Sequence, residues 1–215
     1  MNIYQNMNYK KDECYTTKAE AVKLINYLTV NQIINYEMLI WLPFDNELSN
    51  LYQGLKLNGY NTILSNLENG QDFYFYEPKY FNIIITNPPF SDRTKLIKRL
   101  VHLNKPFIIL QATQFFNNQN AVKTLCLCDD FKFIMPEKRM KFLLYNSDEN
   151  KIKAENNRIC FYSFWLCYKT KLKNTFNLFK NSGSEQLIEE FDLSGNIIVE
   201  NHYNLINLIE LLQNK

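Results

Sequence analysis

The sequence predicts an α/β domain built on a doubly wound, mostly parallel sheet. Three observations predict it. Short apolar runs alternate with segments of helical periodicity from residue 18 to residue 135. The runs Met38–Leu42, Tyr80–Thr86 and Phe107–Leu110 are dense in apolar residues, as strands of a sheet covered on both faces are. Pro43-Phe44-Asp45, the loop near Ser65, Asp72 and Asn87-Pro88-Pro89-Phe90 all fall where a strand should end. Ligands in such folds bind beyond the carboxyl ends of the strands.

In chain order, Ala21, Leu24, Ile25 and Leu28 recur at i, i+3, i+4 and i+7, which predicts a helix over 18–28 with Thr16 or Thr17 as its cap. Met38–Leu42 is a buried strand ended by Pro43. Leu48, Leu51, Tyr52 and Leu55 mark a second helix, closed by Asn58-Gly59. Thr62–Leu64 is a strand, Asn69-Gly70 a turn, and Tyr80–Thr86 the next strand. Ser91 or Asp92 caps a helix with Ile97, Leu100 and Val101 inward. Phe107–Leu110 is a strand and 120–127 is helical. Phe131–Met135 and Ile159–Tyr168 are late strands. The main domain is expected to cover 1–170. Residues 171–215 are expected to be a small C-terminal extension, with a short strand at Asn196–Val199 and a helix carrying Leu205, Leu208, Ile209 and Leu212.

Composition excludes several classes. At 215 residues with 46% hydrophobic content the chain is long and apolar enough for one sizeable core, not a disordered tail. No run reaches the length of a membrane-spanning helix, and residues 1–6 lack the pattern of a secretory leader. Five cysteines without a C-x-x-C pair, and only two histidines, give no metal-site spacing and predict a reducing, cytoplasmic setting. A net charge of +2 rules out coating of nucleic acid by bulk charge, so any such contact must be a local patch.

Asn87-Pro88-Pro89-Phe90 carries the chemistry. Two prolines stop the preceding strand and stiffen the carbonyl between them. Asn87 offers an amide oxygen as acceptor, and Phe90 offers a flat ring against which a planar group can lie. Two acceptors and a ring suit a planar exocyclic amine. Such an amine is a weak nucleophile, and acceptors on both N–H bonds return electron density to its nitrogen. The matching electrophile is the methyl of a sulfonium such as S-adenosyl-L-methionine, with alignment supplying the rest. The alternative reading is a proline-terminated loop after a core strand.

On these residues the chain resembles a family of small adenine-N6 DNA methyltransferases found in phages and prophages. The matching segments are Cys14-Tyr15-Thr16-Thr17-Lys18, Trp41-Leu42-Pro43-Phe44-Asp45, Asn69-Gly70-Gln71-Asp72-Phe73 and Tyr80–Ser91, with Lys138-Arg139 after a late strand. The likeness covers residues 11–170. It implies that the domain over 1–170 has a Rossmann-like class I methyltransferase fold. It also implies S-adenosyl-L-methionine as cofactor, DNA with a flipped adenine as partner, a prokaryotic host cell and a link to restriction-modification. It further implies that Asn87, Pro88, Pro89 and Phe90 hold the adenine. Asp72, before Phe73, would accept the amine of the cofactor's adenine. Thr16, Thr17, Pro43, Phe44 and Asp45 would lie along its methionine and ribose. Thr16 and Thr17 can equally cap a helix, and Asp72 can equally serve a turn. Two departures stand out. No glycine lies between Leu42 and Gln53, where such enzymes carry a Gly-rich loop, and Thr17-Lys18 replaces the family's Thr-Pro.

Lys138 and Arg139 sit at a strand end and are the expected phosphate contacts; Arg93, Lys95, Lys98 and Arg99 read either as a second basic track or as a solvated helix face. Sequence choice is expected from a mobile polar loop over 141–157. N-P-P-F loops also serve methyltransferases acting on guanine N2 in ribosomal RNA and on glutamine in release factors. A catalytically silent module that keeps the fold is the third reading, motivated by the glycine-poor loop.

Overall fold

A computed structural model describes residues 14–146, 151–153 and 162–179. Its centre is a seven-stranded sheet of β2 (Leu39–Pro43), β3 (Asn61–Ser65), β4 (Ile83–Thr86), β5 (Phe107–Ala112), β6 (Phe131–Pro136), β9 (Ser163–Tyr168) and β10 (Phe176–Phe179), in the order β10-β6-β9-β5-β4-β2-β3. The strands β3, β2, β4 and β5 run parallel, and β10 runs parallel to β6. Only β9 opposes its neighbours, pairing antiparallel with both β5 and β6. The chain goes from β2 outward to β3, then crosses back to place β4 on the other side of β2. That reversal is the topological switch point, at the carboxyl ends of β2 and β4, where sheets of this kind bind ligands.

Alternation along each strand divides the core. Ile40, Leu42, Ile83, Ile85, Ile108, Leu110, Trp165 and Cys167 face α1 (Lys18–Val30) and α2 (Asn50–Leu57). Trp41, Ile84, Phe107, Ile109, Phe164, Leu166 and Tyr168 face α3 (Arg93–Leu103) and α4 (Gln119–Cys126). All six residues of β9 are buried, so it is a central strand with both faces covered. Gly54 lets α2 approach α1, since a Cβ there would meet Ile25 Cδ1 at 2.7 Å. The caps follow the chemistry of their residues: Thr17, Ser49, Asp92 and Asn118 each accept a backbone N–H with the side chain.

Several expectations need correction. Leu48 lies ahead of α2 and is 79% exposed, because Ser49 caps the helix one residue later. The strand expected at 80–86 pairs only from Ile83, and Tyr80 is exposed. On α3 Leu96, Ile97 and Leu100 are buried, and Val101 packs partly buried against the same cluster, so Leu96 is the inward residue the expectation left out. The loop expected over 141–157 contains β7 (Phe142–Asn146) and β8 (Lys151–Lys153), which form a small antiparallel sheet with β1 (Cys14–Thr16) in the order β1-β7-β8. A main-sheet strand, β10, follows residue 170. The strand expected at 196–199 and the helix after it lie outside the described residues.

Candidate active site

The switch point is formed by the ends of β2 and β4. Thr86, the last residue of β4, is fully buried. Its hydroxyl lies 2.5 Å from the Pro43 carbonyl and 2.8 Å from Asp45 Oδ2, so it pins the loop after β2 to the strand that carries Asn87. Ser49 Oγ donates to the other carboxylate oxygen of Asp45. Asn66 Nδ2 donates to the Asp45 carbonyl at 3.1 Å.

A hydroxyl has one proton, yet Thr86 faces two acceptors when Asp45 is ionised. Above about pH 6 Asp45 accepts from Thr86; once protonated it can donate to Thr86 instead, which leaves the Thr86 proton for Pro43. Removal from water favours the protonated form, and burial pushes the Asp45 carboxyl up to about 6, against the hydrogen bonds from Ser49 and Thr86 that pull it down. The native state therefore binds a proton that the unfolded chain releases between about pH 4 and pH 6. Stability from this group is present below about pH 4 and is lost as the pH rises through about 6. Asparagine reproduces the protonated pattern, with an oxygen for Ser49 and an N–H for Thr86. Asp45→Asn is expected to raise stability above about pH 6 by on the order of 1 kcal/mol after screening of a half-buried residue, with no gain below about pH 4. Thermal melts across that range check it; a gain that grows toward acid pH would reverse the sign and sink the assignment.

Phe44 replaces the absent glycine in an instructive way. Its backbone sits at φ +72°, the left-handed region that glycine enters freely and phenylalanine does not. Its N–H bonds the Ser65 carbonyl at 2.8 Å, and its ring meets Phe73 at 4.9 Å between centroids. Phe73 is buried and also touches Trp41. The loop thus keeps a glycine-like turn, held by the Ser65 bond and ring packing.

Asn87 follows Thr86 and is half-buried. Its Nδ2 donates to the Cys14 carbonyl at 2.6 Å and reaches Thr16 Oγ1 at 3.2 Å. A carbonyl only accepts, so the atom facing Cys14 must be the nitrogen, and this fixes the orientation of the amide. Asn87 Oδ1 is then left buried without a hydrogen-bond partner among the described residues. Pro88 is buried and Pro89 exposed. Phe90 is 8% exposed and belongs to the buried cluster that holds Met140 and Phe142, so its ring is covered rather than presented as an open platform.

The remaining expected residues separate. Thr16, in β1, touches Asn87, and its carbonyl accepts from Asn50 Nδ2 at 2.9 Å. Thr17 is the N-cap of α1, with its hydroxyl 3.3 Å from the Glu20 N–H. Asp72 makes a turn: its Oδ1 accepts from the Tyr74 N–H at 3.0 Å and its carbonyl from Phe75 and Tyr76. Lys138 and Arg139 are exposed in the turn after β6, at the same end of the sheet as Asn87 because β6 opposes β9 as β5 does. The Arg139 guanidinium lies 5.0 Å over the Tyr162 ring. Arg99 is drawn to the 73–77 loop instead, with Nη2 3.2 Å from Glu77.

Sequence reasoning missed Thr86, Ser49, Asn50 and Asn66. The signal was present for two of them: Thr86 is the polar residue that closes Ile83-Ile84-Ile85, and Ser49 follows Asp45 by four.

Several solved structures are similar to this chain. One is the methyltransferase subunit of a type I restriction-modification system from Streptococcus thermophilus, at 14% identity and a TM-score of 0.50, covering 89% of this chain and 57% of that one. The fold is that of a methyltransferase. The chain spans less than two thirds of that subunit's length. Another is a predicted O-methyltransferase from Agrobacterium tumefaciens, at 8% identity and a TM-score of 0.37, covering 80% of this chain and 93% of that one. No protein-family model matches the sequence, and no curated protein matches it significantly. Among the described residues, no helix is long and apolar enough to cross a membrane, and no cluster of three metal-ligating side chains occurs.

Proposed function

We propose that the chain methylates the N6 amine of adenine in DNA, using S-adenosyl-L-methionine. The observation that carries this reading is the Asn87 amide at the switch point, its nitrogen held by Cys14 and Thr16 and its buried oxygen without a partner among the described residues. The Cys14 and Thr16 contacts hold the amide in one orientation, so its oxygen is the atom left to accept an N–H.

The residues fit the cofactor. Phe44 keeps the tight turn a glycine loop would make, and Asp45 at about 6 is mostly ionised at neutral pH in a crevice where no cation is paired with it by a described salt bridge. When bound, S-adenosyl-L-methionine supplies an electrophilic methyl on a positively charged sulfur. Asp45 would complement a cationic group, and Phe44 and Asp72 would border the crevice. Asn87 Oδ1 would accept one amine N–H of the adenine and orient the nitrogen lone pair for in-line attack. The cofactor would supply the methyl and depart as a neutral thioether, while Asn87 would keep the amine oriented as its surplus proton passed to water. DNA reaches the site as a flipped base, which brings the amine out of its stack.

Incubation with methyl-labelled cofactor and unmethylated DNA, followed by nucleoside mass spectrometry, tests this. N6-methyladenine is the expected product; label on another nucleoside, or on none, would overturn it.

Lys138 and Arg139 would meet phosphate on the approach to the crevice. Replacing both by alanine is expected to weaken duplex binding equally on all sequences and to flatten log K against log[salt] by about two units, one per contact. Fluorescence anisotropy at several salt concentrations measures both; an unchanged slope would make them plain surface charges.

A further inference from the structure

A cleft of about 520 Å³ is lined by Arg93, Gln114, Asn117, Asn118, Gln119 and Asn120. It stands at the carboxyl end of β5, between the first turn of α3, which begins three residues after Phe90, and the first turn of α4. Five of its six lining residues are carboxamides and none is a carboxylate. One guanidinium alone is a poor phosphate track. A carboxamide array, which both donates and accepts, suits the edge of a base.

The walls are fixed. Asn118 Oδ1 accepts from the Ala121 N–H at 3.0 Å and from Thr94 Oγ1 at 3.1 Å, tying α4 to α3. Arg93 Nη1 reaches the Gln114 carbonyl at 3.5 Å, tying α3 to the 3-10 turn Thr113–Asn117. Against these walls Gln114 Oε1 is buried with no hydrogen-bond partner among the described residues. Asn117, Gln119 and Asn120 are exposed along the rim. A row of amides offers donors and acceptors together, which suits a partner that carries both an N–H and an acceptor.

We infer that this cleft reads a base adjacent to the target, by carboxamide contacts to the N6 and N7 edge of an adenine. Asparagine and glutamine pair with that edge through two hydrogen bonds, and a good pair discriminates roughly 5- to 150-fold against the wrong base. The inference rests on the proposed nucleic-acid substrate. It moves sequence choice from the 141–157 segment to the start of α3 and α4.

The test uses the full chain and a pool of duplex oligonucleotides with one fixed adenine and randomised neighbours. Bound and free fractions are sequenced, and methylated products are sequenced in parallel. Wild type is expected to enrich adenine at a neighbouring position, in both readouts, by a factor within that range. Gln114→Ala and Asn117→Ala are expected to bring the enrichment close to one, and Lys138→Ala with Arg139→Ala to leave it intact. Asn117 is exposed, so its variant keeps the test open if Gln114→Ala fails to fold. Wild-type enrichment of guanine instead, no enrichment at all, or unchanged enrichment in folded variants each overturns the cleft assignment. Sequence-selective binding that responds to these variants without any methyl transfer would sink the proposed reaction and leave the cleft standing.

Discussion

Asn87→Ala protein is expected to fold and to transfer methyl groups roughly 10²–10³-fold more slowly than wild type, the usual cost of removing one fixed polar partner from a reaction centre. Two interactions disappear together: the acceptor Oδ1 and the Nδ2 contacts to Cys14 and Thr16. Asn87→Asp separates them. It keeps an acceptor but sets a second oxygen against the Cys14 carbonyl, so it is expected to lose stability by about 1–3 kcal/mol as well as activity. Single-turnover rates and thermal melts on both variants read the two effects. Near wild-type turnover in folded Asn87→Ala protein would remove this residue from the mechanism.

Phe90→Ala is expected to damage the fold before it damages recognition. The ring is buried in one cluster with Met140 and Phe142, and truncating such a phenylalanine costs roughly 3–5 kcal/mol. Alanine therefore cannot isolate stacking on a base. Phe90→Leu can: it preserves most of the apolar volume and removes the flat face. If the ring turns toward the flipped adenine, leucine weakens engagement by about 1–3 kcal/mol while the melting temperature falls only modestly. Equal KM and turnover for the leucine and wild-type proteins would show that Phe90 serves packing alone.

Local pattern carried much of the fold. The amphipathic spacing of Ala21, Leu24, Ile25 and Leu28 is the inner face of α1, and Asn87 ends up one residue beyond β4. What escaped was whatever depends on distant pairing. Cys14–Thr16 is three residues long and becomes a strand only against β7, itself hidden in a polar stretch. The partner of Asn87 Nδ2 is a main-chain carbonyl from that strand, which no side-chain pattern encodes. Asp45 was legible as a crevice residue, but its raised pKa belongs to a buried setting that Thr86 helps to build, brought beside it by the β2–β4 neighbourhood. Phe44 shows the limit in another form. The missing glycine was visible, but the left-handed backbone that keeps the turn was not.

The pairing of β1 with β7 has a consequence for the order in which the protein becomes competent during synthesis. Cys14 stands opposite Leu144, and Thr16 opposite Phe142. The residues that clasp the Asn87 amide leave the ribosome early, but the strand that holds them there emerges only after the whole of β2 to β6. A contact between such distant segments forms late, once the intervening chain has compacted and shortened the loop to be closed. A nascent chain released at residue 140 would carry the N-P-P-F loop complete in sequence yet lack the partner strand for its clasp. Competence is expected to arrive in a single late step, once β7 and the central strand β9 have both emerged, and not to accumulate as the sheet grows.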